Sequence, residues 1–333
     1  MRFPATLTFS LSWYLIRKRL SGAKRFSFVL MLEPLHACNL SCKGCGRIRE
    51  YERTIDQHMS VGQCLESAGE CGAPIVSVCG GEPLIYPEIG PLVRGLEKMG
   101  RHVYLCTNGL LLKQKLALFE PSGQLILNIH LDGERQTHDA IVGREGVFDA
   151  ALEGIAAAKA KGFLVSTNTT IYRETEISDV EQLFDRLSKL GVDTHMLSPG
   201  YGYEGAGDGN IFMTRAEIMA KFGEVDQLSR RYTLSDTPAY LQFLKGEREL
   251  PCAAWGNPTR NPVGWRSPCY LLADRHYDTF RGLMEETDWD AYGLGRDPRC
   301  ENCMVHCGFE PSAVMGASRH VGDLLRMLAW QLS

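Results

Sequence analysis

Short apolar runs and amphipathic segments alternate along the first two thirds of the chain. Strand-like runs recur around residues 28–32, 75–79, 102–106, 125–131, 164–170 and 194–197. Helical patterns separate several of them, around residues 61–71, 89–99, 147–161 and 180–190. Because strands that alternate with helices usually form a parallel sheet covered by helices, the pattern predicts an α/β fold built from six βα units. Chemistry in such folds collects at the C-terminal ends of the strands.

Composition narrows the class of protein. The 333 residues are 44% apolar and 23% charged, which is ordinary for a soluble globular protein, and they suffice for a large core. A net charge of −4 argues against a general nucleic-acid binder. The twelve cysteines belong to a chain too long and too rich in core to need disulfides, so we expect reduced thiols and a cytoplasmic protein.

Both ends of the chain depart from the βα pattern. Residues 7–16 are mostly apolar and a basic cluster follows them. This segment is too short to span a bilayer, which needs about 20 residues, and the charges of a signal peptide would precede its apolar stretch. Residues 1–25 therefore form either a helix docked on the barrel or an interfacial helix, with Trp13 and Tyr14 near lipid headgroups. After about residue 236 the alternation stops, which predicts an irregular Cys-rich extension over 236–333 and a core domain over 26–235.

Three cysteines follow the first strand at Cys38, Cys42 and Cys45. This spacing puts three thiolates on one loop, where they can bind three corners of a four-iron cluster. Such clusters normally take four Cys ligands, so one iron stays open to a non-protein ligand. Zinc is the alternative, but a structural zinc site needs four closed ligands, and His58 and Cys64 are too distant to complete it. The spacing favours the cluster.

Polar and glycine-rich motifs follow the later strands in the same order. They are Gly80-Gly81-Glu82-Pro83, Cys106-Thr107-Asn108-Gly109, and Leu131-Asp132-Gly133 with His138-Asp139. Together with the cysteine loop, they resemble the radical S-adenosylmethionine (SAM) superfamily over about residues 26–235. The resemblance implies a partial (β/α)6 barrel, TIM-like in its architecture, with a [4Fe-4S] cluster whose open iron is chelated by the methionine part of SAM.

The resemblance also implies roles for individual residues. Gly80 and Gly81 would let the backbone approach methionine closely, and Glu82 would accept a hydrogen bond from its ammonium group. Weaker candidates for contacts to ribose, carboxylate or substrate are Asn108, His130, Asp132, Asn168 and Ser198. A structural hydrogen bond is the alternative for each of them. Many members of the superfamily carry Ser at the position of His130.

The extension holds a second group of cysteines. Its members are Cys269, Cys300, Cys303 and Cys307, with Cys252 upstream and His306 beside the last one. Four thiolates can hold a second iron–sulfur cluster or a structural zinc. Reduced thiols without metal are the remaining alternative, and the spacing does not choose between these.

A more specific resemblance covers nearly the whole chain. The chain resembles the adenosyl-hopene transferases of hopanoid biosynthesis in seven segments. They are Leu32-Glu33-Pro34-Leu35, the loop ending Cys-Gly-Arg-Ile, Glu70 to Pro74, Tyr104 to Asn108, Ser198 to Tyr201, Trp255 to Asn261 and Cys303 to Phe309. The implied reaction adds the 5′-deoxyadenosyl radical to the terminal alkene of hopene (diploptene) and gives adenosylhopane. It implies an external electron donor such as flavodoxin or ferredoxin, and peripheral contact with the cytoplasmic face of the inner membrane.

The implied reaction suggests that Cys106 is a hydrogen-atom donor. Addition to an alkene leaves a carbon radical, and a thiol S–H bond is weak enough to supply the missing hydrogen atom. The alternative is a small buried hydrophobic residue. A large apolar substrate also predicts an apolar tunnel, with Tyr201, Trp255, Trp265 and Phe309 as candidate lining, near a glycine-rich loop over residues 200–210 that is either a connector or a lid.

Two rival functions stay open at this point. One is a radical SAM enzyme that abstracts hydrogen from a different lipid or from a peptide. The other is not an enzyme but an iron–sulfur or zinc binding module, which would not need the Gly80-Gly81-Glu82 segment.

Overall fold

The structure is a computed structural model, and it describes residues 2–203, 205–206, 209–317 and 321–332. All six predicted strands are present: β1 (Val29–Leu32), β2 (Ile75–Val78), β3 (His102–Thr107), β4 (Leu125–His130), β5 (Leu164–Ile171) and β6 (Thr194–Pro199). Each strand is parallel to the next one along the chain. The predicted α/β fold with a partial barrel-like parallel sheet is therefore confirmed.

Helices connect and cover these strands. In the described part of the chain they are α1 (Ala5–Leu20), α2 (Arg47–Glu50), α3 (Val61–Cys71), α4 (Ile89–Lys98), α5 (Leu112–Lys115), α6 (Arg135–Val142), α7 (Val147–Ala160), α8 (Ile177–Lys189), α9 (Arg215–Arg231), α10 (Pro238–Leu244), α11 (Phe280–Glu286), α12 (His306–Ala317) and α13 (Val321–Leu332). The α3 boundaries match the sequence prediction because strong signals set them. Ser60 and Gln63 form a capping box at its start, and Gly72 takes the left-handed conformation at its end. None of the described helices is long and apolar enough to cross a membrane.

The C-terminal extension adds three strands that the sequence pattern did not predict: β7 (Thr259–Asn261), β8 (Gly264–Pro268) and β9 (Ala273–Tyr277). Strand β7 is parallel to β1, and β8 and β9 follow as antiparallel neighbours. The sheet order is β6-β5-β4-β3-β2-β1-β7-β8-β9, so the sheet continues past residue 236. The predicted domain boundaries stay predictions.

The two faces of the sheet differ in chemistry. Side chains alternate between the faces along a strand. On β3 and β4, Val103, Leu105, Leu127 and Ile129 are fully buried in the main apolar core. The alternate positions carry polar groups that contact one another across strands, such as Asn128 on β4. This polar face forms the barrel interior, beneath the edge where the strands end.

Candidate active site

The predicted site residues lie on the C-terminal side of strands β1 to β6. They are Cys38, Cys42, Cys45, Gly80, Gly81, Glu82, Cys106, Asn108, His130, Asp132, Asn168 and Ser198. Contacts join the loops that carry them. The Glu82 amide donates to the Ala37 carbonyl at 2.9 Å, and the Asn108 side chain donates to Asn39 Oδ1 at 2.8 Å. The strand ends thus bring the cysteine loop and the β2 and β3 motifs into one neighbourhood.

The cysteine loop fits the cluster that its spacing predicts. Cys38, Cys42 and Cys45 are free and half-buried. Cys45 influences the pKa of Cys38, and both Cys45 and Cys38 influence the pKa of Cys42, so the three groups share one space. No group of three or more described metal-ligating side chains is placed to hold a single metal ion. A four-iron cluster does not require such convergence, because each thiolate binds a different iron atom.

The protein surroundings of Cys38 and Cys42 favour the protonated state of these two thiols. Burial raises the pKa of Cys38 to about 11, against a backbone hydrogen bond that the Leu40 amide donates to its sulfur at 3.4 Å. Burial and the neighbouring thiols raise the pKa of Cys42 to about 12. Iron must therefore displace protons when it binds, since thiolates and not thiols are ligands.

The two glycines after β2 serve a close contact within the protein. Gly80 has a φ of +105°, which favours glycine. A Cβ on Gly81 would collide with the backbone carbonyl groups of His36 and Ala37. The sequence analysis assigned the missing side chains to an approach toward methionine. In the structure, they let the β2 loop pack directly on the segment that leads into Cys38.

Glu82 is the anchor between the β2 and β3 loops. Its carboxylate is buried and accepts from the Leu84 amide at 3.0 Å, the Thr107 hydroxyl at 2.7 Å and the Asn108 amide at 2.8 Å. Burial raises the pKa of Glu82, and these three hydrogen bonds oppose the shift. A carboxylate can accept about four hydrogen bonds, so one place is left for the predicted ammonium partner.

His130, not Asp132, is the accessible member of the β4 pair. The His130 side chain is 29% exposed and its Nε2 lies 2.7 Å from Asp132 Oδ2, whereas Asp132 is fully buried. Asp132 also accepts from the Thr170 amide at 2.8 Å. Burial lowers the pKa of His130, but Asp132 outweighs it and the net shift is upward. Asp132 therefore acts as the residue that orients His130, and His130 is the group that a ligand could reach.

Asn168 and Ser198 differ in whether the side chain already has a hydrogen-bond partner within the protein. Asn168 Oδ1 is buried and has no hydrogen-bond partner among the described residues. Because a buried acceptor of this kind is costly to leave unpaired, it suits a ligand donor. Ser198 Oγ lies 3.3 Å from His306 Nδ1 of α12, so its contact is to the C-terminal extension.

Cys106 lies on β3 and points into the barrel interior. Its sulfur is 3.2 Å from Ser77 Oγ and accepts from Asn128 Nδ2 at 3.5 Å. Burial raises the pKa of the thiol, and the two hydrogen bonds oppose this. At neutral pH the group therefore keeps its S–H proton, which a hydrogen-atom donor needs.

The C-terminal cysteines gather around a fifth thiol. Cys269, Cys300, Cys303 and Cys307 are free, and the sequence analysis noted Cys252 only as lying upstream of them. Cys252 and Cys269 contribute to the raised pKa values of both Cys303 and Cys307. Cys300 in turn contributes to that of Cys252. No three of these thiols are placed to hold a single metal ion among the described residues.

A buried ion network behind the cysteine loop was missed by the sequence analysis. Arg47 of α2 pairs with Glu33 at 2.9 Å and with Glu50 at 3.1 Å. Its guanidinium lies over the Tyr270 ring at 4.2 Å. Arg266 of β8 also pairs with Glu50. The available signal was charged residues inside motifs of the specific resemblance, at Glu33 and in the loop ending Cys-Gly-Arg-Ile.

Arg266→Met is expected to lower the free energy of unfolding by about 3–5 kcal/mol. The guanidinium is 1% exposed, and its loss leaves the carbonyl groups of Cys269 and Leu271 without this buried donor and leaves Glu50 with Arg47 as its remaining cation. Denaturant unfolding would measure the loss. The matched control is Arg275→Met, an exposed arginine 3.7 Å from Glu286, for which we expect a change of no more than about 1 kcal/mol. Equal losses for the two variants would contradict a structural role for the network.

A cavity of about 880 Å³ lies beside the cysteine loop. Its lining is mixed, with Arg49, Arg173, Tyr201, Tyr203, Phe212, Met213, Leu271, Leu272 and Arg299 among the members. Of the predicted aromatic lining, only Tyr201 contributes. Trp265 and Phe309 are buried in the core, so they are ordinary core aromatics, which was the alternative to a role in a tunnel lining. Trp255 instead packs on the apolar core. In the 200–210 loop, Gly207 lies outside the described residues.

Comparison with known families decides the class. A model of the radical SAM superfamily matches residues 32–187. This match, over just under half of the chain, supports membership of the radical SAM superfamily. A second model, a domain of unknown function (DUF3463), matches residues 195–327. Radical SAM membership implies a [4Fe-4S] cluster and SAM, and it favours an enzyme over a metal-binding module.

Two proteins of similar sequence are named as enzymes of heme synthesis. Pre-heme d1 synthase of Dinoroseobacter shibae is 28% identical over 277 residues, which cover 78% of this chain and 68% of that protein. Fe-coproporphyrin III synthase of Methanosarcina barkeri is 28% identical over 181 residues, or 52% of this chain. The match spans 45% of that protein, less than half its length.

Solved structures share the radical SAM fold. SuiB of Streptococcus suis, bound to its precursor peptide SuiA, has a TM-score of 0.64 at 14% identity, covering 93% of this chain and 76% of SuiB. The enzyme anSMEcpe with bound AdoMet has a TM-score of 0.55 at 18% identity, covering 79% of this chain and 78% of that one. At these identities the likeness establishes the fold.

Proposed function

We propose that this radical SAM enzyme adds the 5′-deoxyadenosyl group to the terminal alkene of hopene (diploptene) and forms adenosylhopane. The observation that carries the proposal is the protonated Cys106 thiol in the barrel interior, on the strand whose next turn holds Asn108. A reaction that abstracts hydrogen from its substrate and then oxidises or couples the resulting radical has no need of a hydrogen-atom donor there. The resemblance of the chain to adenosyl-hopene transferases is the second support.

Three groups of residues have separate roles in this proposal. Cys38, Cys42 and Cys45 would hold the cluster, and the β2 to β4 loops would seat SAM through Gly81, Glu82 and His130. When bound, the cluster and SAM supply the 5′-deoxyadenosyl radical at the expense of one electron from an external donor. Asn128 and Ser77 both contact the Cys106 sulfur, which holds the thiol in place.

The proposed reaction is a radical addition followed by the transfer of one hydrogen atom. The alkene π bond breaks, a carbon–carbon bond forms to the 5′ carbon, and the neighbouring substrate carbon carries the unpaired electron. Cys106 donates a hydrogen atom to that carbon. The sulfur then returns to the thiol by taking one electron and one proton, and we assign the electron to the same class of donor, a flavodoxin or a ferredoxin.

The 880 Å³ cavity is our candidate for the substrate site. Its volume falls within the range of sites for large ligands, roughly 300–1,000 Å³. We assign the apolar polycycle to the part lined by Tyr201, Phe212, Met213, Leu271 and Leu272.

The experiment uses reconstituted protein, SAM, dithionite and diploptene under anaerobic conditions in D2O, read by mass spectrometry. An adenosylhopane adduct with one added deuterium is expected, because a thiol exchanges its hydrogen with solvent. Cys106→Ala should lower the saturated adduct by at least about tenfold while SAM is still consumed. Cys64→Ala, which removes a buried thiol from α3, is the control and should behave like the unmodified protein. No adduct with diploptene would refute the proposed reaction.

A second candidate is hydrogen abstraction from an anionic substrate. Its support is the heme-synthesis relatives together with Arg49 in the cavity lining, where Arg173 and Arg299 already pair with Glu217 and with Asp274 and Asp297. Carboxylate groups bind arginine well. This alternative predicts free 5′-deoxyadenosine and no adduct, so the same mass spectra distinguish the two.

A further inference from the structure

The outer face of α1 is apolar and uncovered. Phe9, Trp13, Ile16 and Leu20 are 76%, 56%, 48% and 83% exposed. Their spacing of four, three and four residues puts them on one side of the helix, and we call them the α1 stripe. The opposite side is held to the protein, where Leu7 is buried. The helix is therefore apolar on two sides, of which only one is covered by the chain.

Helix α13 carries a similar row next to α1. Leu324, Leu325, Leu328 and Leu332 are 45%, 61%, 51% and 71% exposed. The two helices are joined by Gln331, whose side chain donates to the Phe3 carbonyl at 3.1 Å and to Thr8 Oγ1 at 2.9 Å. Among the described residues, most of the large exposed hydrophobic side chains belong to these two helices. Such a concentration is typical of a docking surface and not of scattered surface residues.

The charge of this region points to the partner. Residues 1–32 contain six basic side chains and no acidic one, while the whole chain has a net charge of −4. Residues 1–32 therefore carry a net charge of +6, and the rest of the chain carries a net charge of −10. Arg17 and Arg19 flank the α1 stripe at its C-terminal end, and Lys24 and Arg25 follow. An apolar stripe bordered by cations matches the chemistry of an anionic lipid surface.

We propose that α1, with α13 beside it, docks on an anionic bilayer surface. The α1 stripe enters the boundary between headgroups and acyl chains, and the basic residues contact lipid phosphates. Thr6 of α1 contacts the Gly123 carbonyl, at the loop that leads into β4. This helix therefore lies at the end of the sheet opposite the cysteine loop, and docking leaves the catalytic edge open. The inference does not depend on which substrate the enzyme uses.

The test is cosedimentation of the full chain with phosphatidylcholine vesicles, with and without phosphatidylglycerol. We expect at least tenfold tighter binding to the anionic vesicles, weakening as salt is raised. Phe9→Ser combined with Trp13→Ser should lower that binding at least tenfold. The matched control, Leu118→Ser combined with Val263→Ser, removes exposed apolar side chains elsewhere and should leave binding unchanged.

Three results would overturn the inference. They are absence of vesicle binding, equal binding by the stripe variant, and a dimer in light scattering that the stripe variant converts to a monomer, since a second copy would then cover the stripe. The stripe variant should keep its thermal unfolding temperature and its SAM cleavage. If the hopene reaction fails but anionic vesicles still bind, only the proposed function is refuted.

Discussion

Replacement of Cys42 by serine is expected to abolish the iron–sulfur absorption of the reconstituted protein and to lower reductive SAM cleavage by more than about 100-fold. Loss of a residue that only supports a metal ligand costs roughly 10–100-fold, and Cys42 is proposed as a ligand itself. Anaerobic absorption spectra, iron and sulfide analysis and 5′-deoxyadenosine release would measure the effect. Cys71→Ala, at a buried thiol of α3, is the control. A Cys42→Ser protein with full iron content and SAM cleavage would remove the basis for the cluster assignment.

The same variants address the C-terminal thiols. With Cys38, Cys42 and Cys45 all replaced by serine, any iron that remains after reconstitution must lie elsewhere. If that iron disappears on further replacement of Cys303, the thiol group around Cys252 and Cys269 holds a second cluster. If no iron remains in the triple variant, these thiols carry no iron under the conditions of assembly.

Glu82→Ala is expected to lower the free energy of unfolding by roughly 3–6 kcal/mol in the cofactor-free protein. The Leu84 amide, the Thr107 hydroxyl and the Asn108 amide would all lose a buried acceptor. Glu82→Gln keeps one acceptor oxygen and should lose less. Denaturant unfolding would rank the variants against Glu88→Ala, an exposed carboxylate on the same loop, where a change below about 0.5 kcal/mol is expected. A loss of less than about 1 kcal/mol for Glu82→Ala would show that this carboxylate is not a structural anchor.

The parts of the fold that the sequence predicted are those with local signals. Helix α3 starts at a capping box and ends at Gly72, and both features are readable without knowing what the helix packs against. Strand β1 is a continuous apolar run, whereas β4, β5 and β6 include polar residues such as Asn128, Asn168 and Ser198, because one face of the sheet packs in the apolar core and the other carries polar groups. The order of the motifs along the chain then follows the order of the strand ends.

Other features depend on partners far away in the sequence. Strand β7 is three residues long and carries Thr259, Arg260 and Asn261, so nothing local identifies it as a strand. Its pairing with β1 decides its structure. The resemblance assigned Glu82 to ligand binding. Its structural role was not visible in the sequence, because its partners Thr107 and Asn108 lie at the end of another strand. The roles of Arg47 and Arg266 were equally invisible, because their contacts join segments separated by more than 200 residues.

The position of β7 beside β1 has a consequence for synthesis on the ribosome. Met31 pairs with Thr259, so one side of the first strand has no neighbour until the chain has grown by more than 200 residues. The Arg47 contact to Tyr270 is made later still. Contacts this distant in sequence form slowly, and growing chains fold domain by domain. We therefore expect the cysteine loop to acquire its final shape, and its iron, only after nearly the whole chain has left the ribosome.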